Sequence, residues 1–532
     1  MSLTKGSYSM IKGAPVNVLD FGATGDGTTN DTAAVQAAVT AADRVYFPAG
    51  TYLCDTITLD ANSYLYGDGA SSIIKQNTVS SSYGTLYANS GSSSTHLQNI
   101  RIDSLQLLGQ VAAQGFSQFA HLISFNGVRY VEITNCTIKG FRGDGIYLGS
   151  GVSGGDERHN RNVTIRNCII DGVNNDNRNG VSIIDGDEIL IQGNAFINCT
   201  RSNMPGCIDV EPDAQTFHIV RNIRIVNNFF ENCLGNVGFI GFVLGAATFT
   251  AQPKNFIVAN NVFQGTCDGV AFINNYASYT EPFRVVISNN SGTVGRFLDF
   301  QKWVYGVTIS GNSIQSSSSS VLGFAATDVC TNFSIVGNNF IGDGTAACFA
   351  IRSTSGLNIA NNTFNNFYDN HINLGLSGST ISKLTITNNY FASISGANNS
   401  VYDGGGTVDG GSCCFYGNTG TSTHSFTAWR NDGCGTVANG ITATSFNSAT
   451  LPDSFPEGVC TAVINGDTGV PNTSGYQGTL TNYTLSAVSG LAKATYQNYY
   501  PANNTTDLGS FYLRKRNNAA NTWTAWYKVT GV

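Results

Sequence analysis

Charge is scarce in this sequence: Asp, Glu, Lys and Arg make up 11% of 532 residues, about half the usual share of a globular protein. Long solvent-exposed helices draw on Glu, Lys and Arg, so a mainly helical architecture is disfavoured. Positive charge is scarcer still. The formal net charge is −7, with no basic stripe to neutralise phosphates, which argues against nucleic-acid binding. No run of about 20 apolar residues occurs, so no membrane-spanning helix is expected. The opening MSLTKGSYSM lacks the apolar core of a secretory signal. The 6 His form neither HExxH nor HxxxH, which argues against a zinc enzyme. No cofactor is expected. The 13 Cys include no CxxC pair, and Cys413-Cys414 is not a metal signature. Reduced cysteines that pack as small hydrophobes are the expected state, as in a protein assembled in a bacterial cytosol.

Glycine, 61 residues of it, and Asn, Ser and Thr carry the polarity instead. This suits stacked strands and tight turns, where Asn and Gly accept left-handed φ. Short strands ending in Asn-rich turns recur as ITNC, IRNC, IQGN, IVNN, VANN, ISNN, ISGN, IVGN, IANN and ITNN. Their last residues run from 136 to 389 in nine intervals, a mean period of about 28 residues. Self-similarity at this period marks a solenoid, and the Leu framework of a leucine-rich repeat is absent. Stacked Asn side chains can hydrogen-bond along the axis. Cys136 and Cys168 fall where Asn194 and Asn228 stand in later repeats, and Cys199 and Cys233 fall level with Phe141 and Val173.

Near the N-terminus, Val18-Leu19-Asp20-Phe21-Gly22-Ala23, Gly25-Asp26-Gly27, Thr29-Asn30-Asp31-Thr32 and Phe47-Pro48-Ala49-Gly50-Thr51-Tyr52 follow one another. Asp31 or Thr32 can cap a helix carrying Ala34, Val35, Ala38 and Val39, which ends near Asp43. This stretch resembles the opening of the pectate-lyase-like superfamily as found in phage tailspikes and polysaccharide-degrading enzymes. The resemblance implies an all-β right-handed parallel β-helix whose first coil is capped by that helix, and a homotrimer. The expected organisation is a tail or linker at 1–14, a cap and first coil at 15–70, the β-helix with a glycan site at 71–440 and a small β domain at 441–532. The ending FYLRKRNNAANTWTAWYKV, through Tyr512, Arg514, Trp523, Trp526 and Tyr527, resembles the pyocin knob at the tips of phage fibres. Such a protein would sit in a virion tail, made in the host cytoplasm, with its N-terminal side toward tail or baseplate proteins.

Each coil carries a second strand after the Asn turn: GIYLG (145–149), GVSII (180–184), CIDVE (207–211), GVAFI (269–273) and CFAIR (348–352). Strand alternation turns Ile146, Leu148, Val181, Ile183, Ile208, Val210, Val270 and Phe272 inward. Tyr147, Ser182, Asp209, Glu211 and Ala271 then face outward. Asp209 and Glu211 are the candidate catalytic pair. Glycoside hydrolysis needs one carboxyl to protonate the leaving oxygen and a second as nucleophile or water activator, and their proximity should raise one pKa. The longer repeats place their extra residues after the second strand, at about 149–162, 211–222, 245–255 and 274–284. Insertions at one repeat position line one face of a solenoid. Candidate substrate-binding residues are Tyr147, His159, Arg178, His218, Lys254, Tyr276 and Glu281, with Asp299 as a reserve acid. Asp144-Gly145 and Asp268-Gly269 read as turns.

The favoured function is a phage tailspike that binds and hydrolyses a bacterial capsular or O-antigen polysaccharide. A lyase acting by β-elimination on a uronic-acid polymer is the alternative, since His159, His218, Lys254 and Arg284 offer bases and a carboxylate-neutralising group. A host-range fibre that binds glycan without cutting it needs the groove but not the acid pair. A pectinase would show a triplet of Asp motifs, which is not seen.

Overall fold

The computed structural model describes residues 14–420, apart from short gaps of which 152–157 and 275–280 are the longest, and the backbone of strands between 458 and 530. Tyr276, Asp156 and Glu157 lie outside the described residues. The chain divides into two units, 1–307 and 308–532.

In the first unit the chain passes through three parallel sheets in turn and returns one strand further along each. A typical coil uses Arg161–Arg166 in the first sheet, Ile169–Asp171 in the second and Val181–Ile183 in the third. The next coil repeats this with Gly186–Gln192, Ala195–Ile197 and Ile208–Val210. This is the expected right-handed parallel β-helix. Its core is the stack of inward side chains: Ile146, Val181, Ile208, Ile240 and Val270 are paired in register and buried. Phe196, Phe230 and Phe263 stack at 4.9 and 5.1 Å in the same way under the second sheet.

The helix Thr32–Ala41 buries Val35, Ala38 and Val39 against the first coil, covering the apolar end that a solenoid exposes. Asp31 stands at its N-cap but makes no side-chain cap bond. Its carboxylate instead accepts the amides of Thr24 and Gly25, at 2.7 and 3.1 Å, and pins the glycine loop.

The repeat is set by the turn between the first and second sheets. Its first residue is left-handed at Asn135, Asn167, Asn227, Asn260 and Asn289. Its second residue stacks: the Oδ1 of Asn228 accepts both the backbone N–H and the side-chain Nδ2 of Asn194, each at 3.0 Å. Asn261 and Asn290 continue the ladder. Cys168 occupies the slot as expected, its N–H donating to Asn194 Oδ1 at 2.9 Å. Phe141, Cys199 and Cys233 are buried in their shared slot, whereas Val173 is exposed and left-handed and so leaves it. Nine cysteines among the described residues are buried and outside any disulfide.

The second unit repeats the three-sheet winding, with its own ladder Asn312–Asn338–Asn362–Asn389–Asn418. Beyond it, Gly458–Asn465, Gln477–Leu485, Ala494–Pro501 and Ser510–Asn517 form an antiparallel sheet with Thr522–Trp523 and Tyr527–Thr530. Among the described residues no helix is long and apolar enough to cross a membrane.

Candidate functional site

The outer face of the third sheet in the first unit carries one straight row: Ser124, Tyr147, Ser182, Asp209, Gly241, Ala271 and Asp299 are register partners on successive strands. Alternation therefore assigned the faces correctly. It did not anticipate cover. Ser182, Asp209 and Ala271 point away from the coil interior yet are buried. Arg178 and Asn179, on the turn leading into this sheet, fold back over the face. Asn179 Nδ2 donates to Asp209 Oδ2 and to Ser182 Oγ, both at 3.0 Å. The expectation of two solvent-open carboxyls is thus corrected: Asp209 has no exposed surface, while the Glu211 side chain is 37% exposed.

Arg178 organises the acids. Its guanidinium donates to both oxygens of Asp144, at 2.9 and 3.0 Å, and to Ser182 Oγ at 3.1 Å. Its other nitrogen stands 3.9 Å from Asp209 Oδ2 and 3.9 Å from Glu211 Oε2. Three carboxyl groups share one cation, so not all of them are comfortably ionised. Burial, then the neighbouring Glu211, push the Asp209 carboxyl well above the usual range, with Arg178 opposing. Burial also raises Glu211, against the pull of Arg178 and a hydrogen bond with Asp209. Asp209 Oδ1 accepts no hydrogen bond among the described residues. The two raised carboxyls hydrogen-bond to each other, so the pair holds a proton between them and its titration belongs to both.

Beside this cluster opens a cleft of about 200 Å³, bounded by Arg178, Tyr147, His121, Asn126, Phe119 and Asp213. The Tyr147 ring stacks on His121 at 4.7 Å and 11°. His121 Nδ1 accepts the Asp144 backbone N–H at 3.0 Å, and Asp144 Oδ2 lies 3.3 Å from the same nitrogen. One nitrogen cannot both accept from the amide and donate to the carboxylate. The shorter amide contact makes Nδ1 the acceptor, and burial, which pushes the His121 pKa down, agrees with a neutral ring. The Tyr147 hydroxyl is raised, first by burial and then by Asp213 and Asp144.

The remaining candidates disperse. His159 Nδ1 lies 2.8 and 3.0 Å from the oxygens of buried Asp185, and His218 is buried, its Nδ1 without a hydrogen bond among the described residues. Lys254 pairs with Glu281 at 2.8 Å, on the first sheet rather than at the cleft. Asp299 shares the row with Asp209 but lies three strands on, about 14 Å away, where it pairs with Arg296 at 3.0 Å. Sequence reasoning missed His121 and took Asp144 for turn chemistry. Aligning HLISFN (121–126) with the other third-sheet strands would have set His121 level with Asp144, since Ile123 pairs with Ile146. Among the described residues no cluster of His, Cys, Asp and Glu is arranged to hold a metal ion.

Residues 15–199 match the family described as rhamnogalacturonase A/epimerase, pectate lyase-like, so the cap, the early coils and Arg178 lie in a pectate-lyase-like stretch. A curated relative is the pre-neck appendage protein of Bacillus phage phi29, 27% identical over 243 residues, which are 42% of this chain and 27% of that protein. Mannuronan C5-epimerase AlgE3 of Azotobacter vinelandii is 39% identical over 108 residues, 16% of this chain and 6% of that enzyme. The chain thus matches about a quarter or less of the length of these relatives. Among solved structures, the tailspike protein gp49 from Pseudomonas phage LKA1 superposes with a TM-score of 0.48 at 14% identity, over 74% of this chain and 83% of that one.

Proposed function

We propose that this protein is a phage tailspike-type depolymerase that binds a bacterial surface polysaccharide in the Tyr147 cleft and hydrolyses it. The observation that carries this is the Asp209–Glu211 pair gathered behind Arg178, which itself lines the cleft. Glu211, part-exposed and with a raised pKa, is the group able to give a proton to a glycosidic oxygen. Asp209, buried behind it, holds Glu211 in place and tunes it. Asp213, exposed at the cleft, is the second carboxylate of this reading. Tyr147 offers a flat face for a sugar ring. The phage appendage protein among its relatives agrees with a tail location, and the named substrate of the epimerase agrees with a polysaccharide ligand. A capsular or O-antigen polymer, a homotrimer and attachment to tail or baseplate proteins complete the reading.

β-Elimination fits the cleft less well. It needs a free base and a cation to neutralise a uronate. His121 Nδ1 already accepts an amide, the Tyr147 hydroxyl is hard to ionise, and Arg178 is committed to three carboxyl groups. The test is product analysis on purified capsular and O-antigen polysaccharides. New reducing ends that vanish in Glu211→Gln support hydrolysis. An ultraviolet-absorbing unsaturated uronate would replace it with the lyase, and retention of glycan without cleavage would leave a non-catalytic fibre.

A further inference from the structure

On a different face of the first unit, the strands Arg161–Arg166, Gly186–Gln192, Val220–Val226 and Lys254–Ala259 lie side by side. Over them runs a groove of about 590 Å³. It spans three strand spacings, about 14 Å, long enough for a short oligosaccharide. Its lining is mixed. Leu190 and Ile257 give it an apolar floor. Asn162, Glu188, Asn222 and Asn255 form a rail along it, all left-handed, with φ from 54° to 63°. Asn255 Nδ2 donates to Asn222 Oδ1 and Asn222 Nδ2 donates to Asp187 Oδ1, both at 2.7 Å. The rail then stops: Asn162 Oδ1 is buried and accepts nothing among the described residues. Glu188 and Arg224 are exposed in the groove and make no ion pair among the described residues.

One rim of the groove is cationic. Arg129, Arg161, Asp187, Arg221 and Lys254 are register partners on successive strands. Asp187 is shared by Arg221 at 2.9 Å and Arg161 at 3.6 Å, and Lys254 is matched by Glu281. Arg129 makes no ion pair among the described residues. The Nε atoms of Arg129, Arg161 and Arg221 are buried without an acceptor among those residues. Counting Arg224, five cations face three carboxylates here, in a chain whose net charge is −7. Nearby His96 is pushed down to about 4, first by burial and then by the Arg129 and Arg158 guanidiniums, as expected where positive charge is in excess.

From the groove, its unfilled polar groups and its basic rim, we infer that this face is an accessory, non-catalytic binding site for an anionic glycan segment. It rests on the reading that a polysaccharide is the ligand, and adds that the polymer is acidic and is gripped at a second place. The apolar floor takes sugar faces, the amide rail takes hydroxyls, and the guanidinium rim takes carboxylate, sulfate or phosphate groups.

The test uses the full chain carrying Glu211→Gln on an array of bacterial capsular and O-antigen glycans, neutral and acidic. Acidic glycans should be retained. Adding Arg129→Ala with Arg224→Ala should weaken their binding at least tenfold and flatten its salt dependence. The same pair with Glu211 intact should leave cleavage of a short oligosaccharide unchanged. Equal binding by the variant, retention of neutral glycans alone, or a changed oligomeric state in place of weakened binding would overturn the inference. Glycan lost with the rim but never cut by the parent protein would refute the proposed hydrolysis and leave this site standing.

Discussion

The Asn turns and the acid face of the first unit both bury polar side chains in a stack of similar coils, and they do so in opposite ways. In the ladder every group is answered. Asn228 accepts two bonds from Asn194 and donates to Ile191 O and to Asn261 Oδ1. Its neighbours repeat the pattern one coil along. On the acid face, Asp209 is equally buried, yet one oxygen accepts nothing among the described residues, three carboxyl groups compete for Arg178, and two of the carboxyls are raised. The same stacking geometry gives matched polar groups in the ladder and raised carboxyls on the acid face. Raised carboxyls beside a cleft are what the proposed general acid catalysis requires.

Four substitutions probe that contrast, in descending order of expected effect. Glu211→Gln removes the transferable proton and should lower the rate of polysaccharide cleavage by roughly 10²–10⁴-fold, with glycan retention intact; reducing-end release measures it. Asn228→Ala removes the acceptor of the Asn194 backbone N–H and of one Asn194 Nδ2 hydrogen, and the side-chain donor to Ile191 O, at about 3 kcal/mol or more; urea unfolding should show it as a lower midpoint. Asp209→Asn should do the reverse. A carboxyl whose folded pKa lies above its unfolded value binds more protons in the folded state. It therefore weakens the fold as pH rises from the usual carboxylate range toward the raised value. The Asn variant should be more stable than the parent near pH 7, and the gain should disappear below about pH 4. Midpoints that respond to pH identically in the two proteins would contradict a protonated Asp209. Cys168→Asn extends the ladder by one rung and should stabilise by no more than about 1 kcal/mol; a loss of that size would show that the slot is fitted to sulfur.

Much of the ladder region was legible because it is periodic. The Asn-rich turns announced both left-handed backbone and stacked side chains, without saying which position takes which role, and the spacing of about 28 residues placed the coils. The acid face was legible only as far as alternation reaches. Asp209, Glu211 and Tyr147 could be assigned to it from strand phase, whereas Arg178, on the turn before its strand, could only be named as a candidate contact. Burial of Asp209 could not, because it depends on how the Arg178-Asn179 turn folds over its neighbour. The His121–Asp144 contact was hidden for a related reason: it joins two coils, and only the register of Ile123 on Ile146 reveals it. Lys254, Glu281 and Asp299 were drawn in by residue type and loop length, neither of which fixes the face a side chain takes.

The most direct test is a structure of the Glu211→Gln protein soaked with an oligosaccharide of the polymer it binds. A sugar ring on Tyr147 with a glycosidic oxygen at hydrogen-bond distance from the substituted amide side chain is the predicted result. Sugar bound elsewhere on the molecule, with the space between Arg178 and Asp213 empty, would contradict the account.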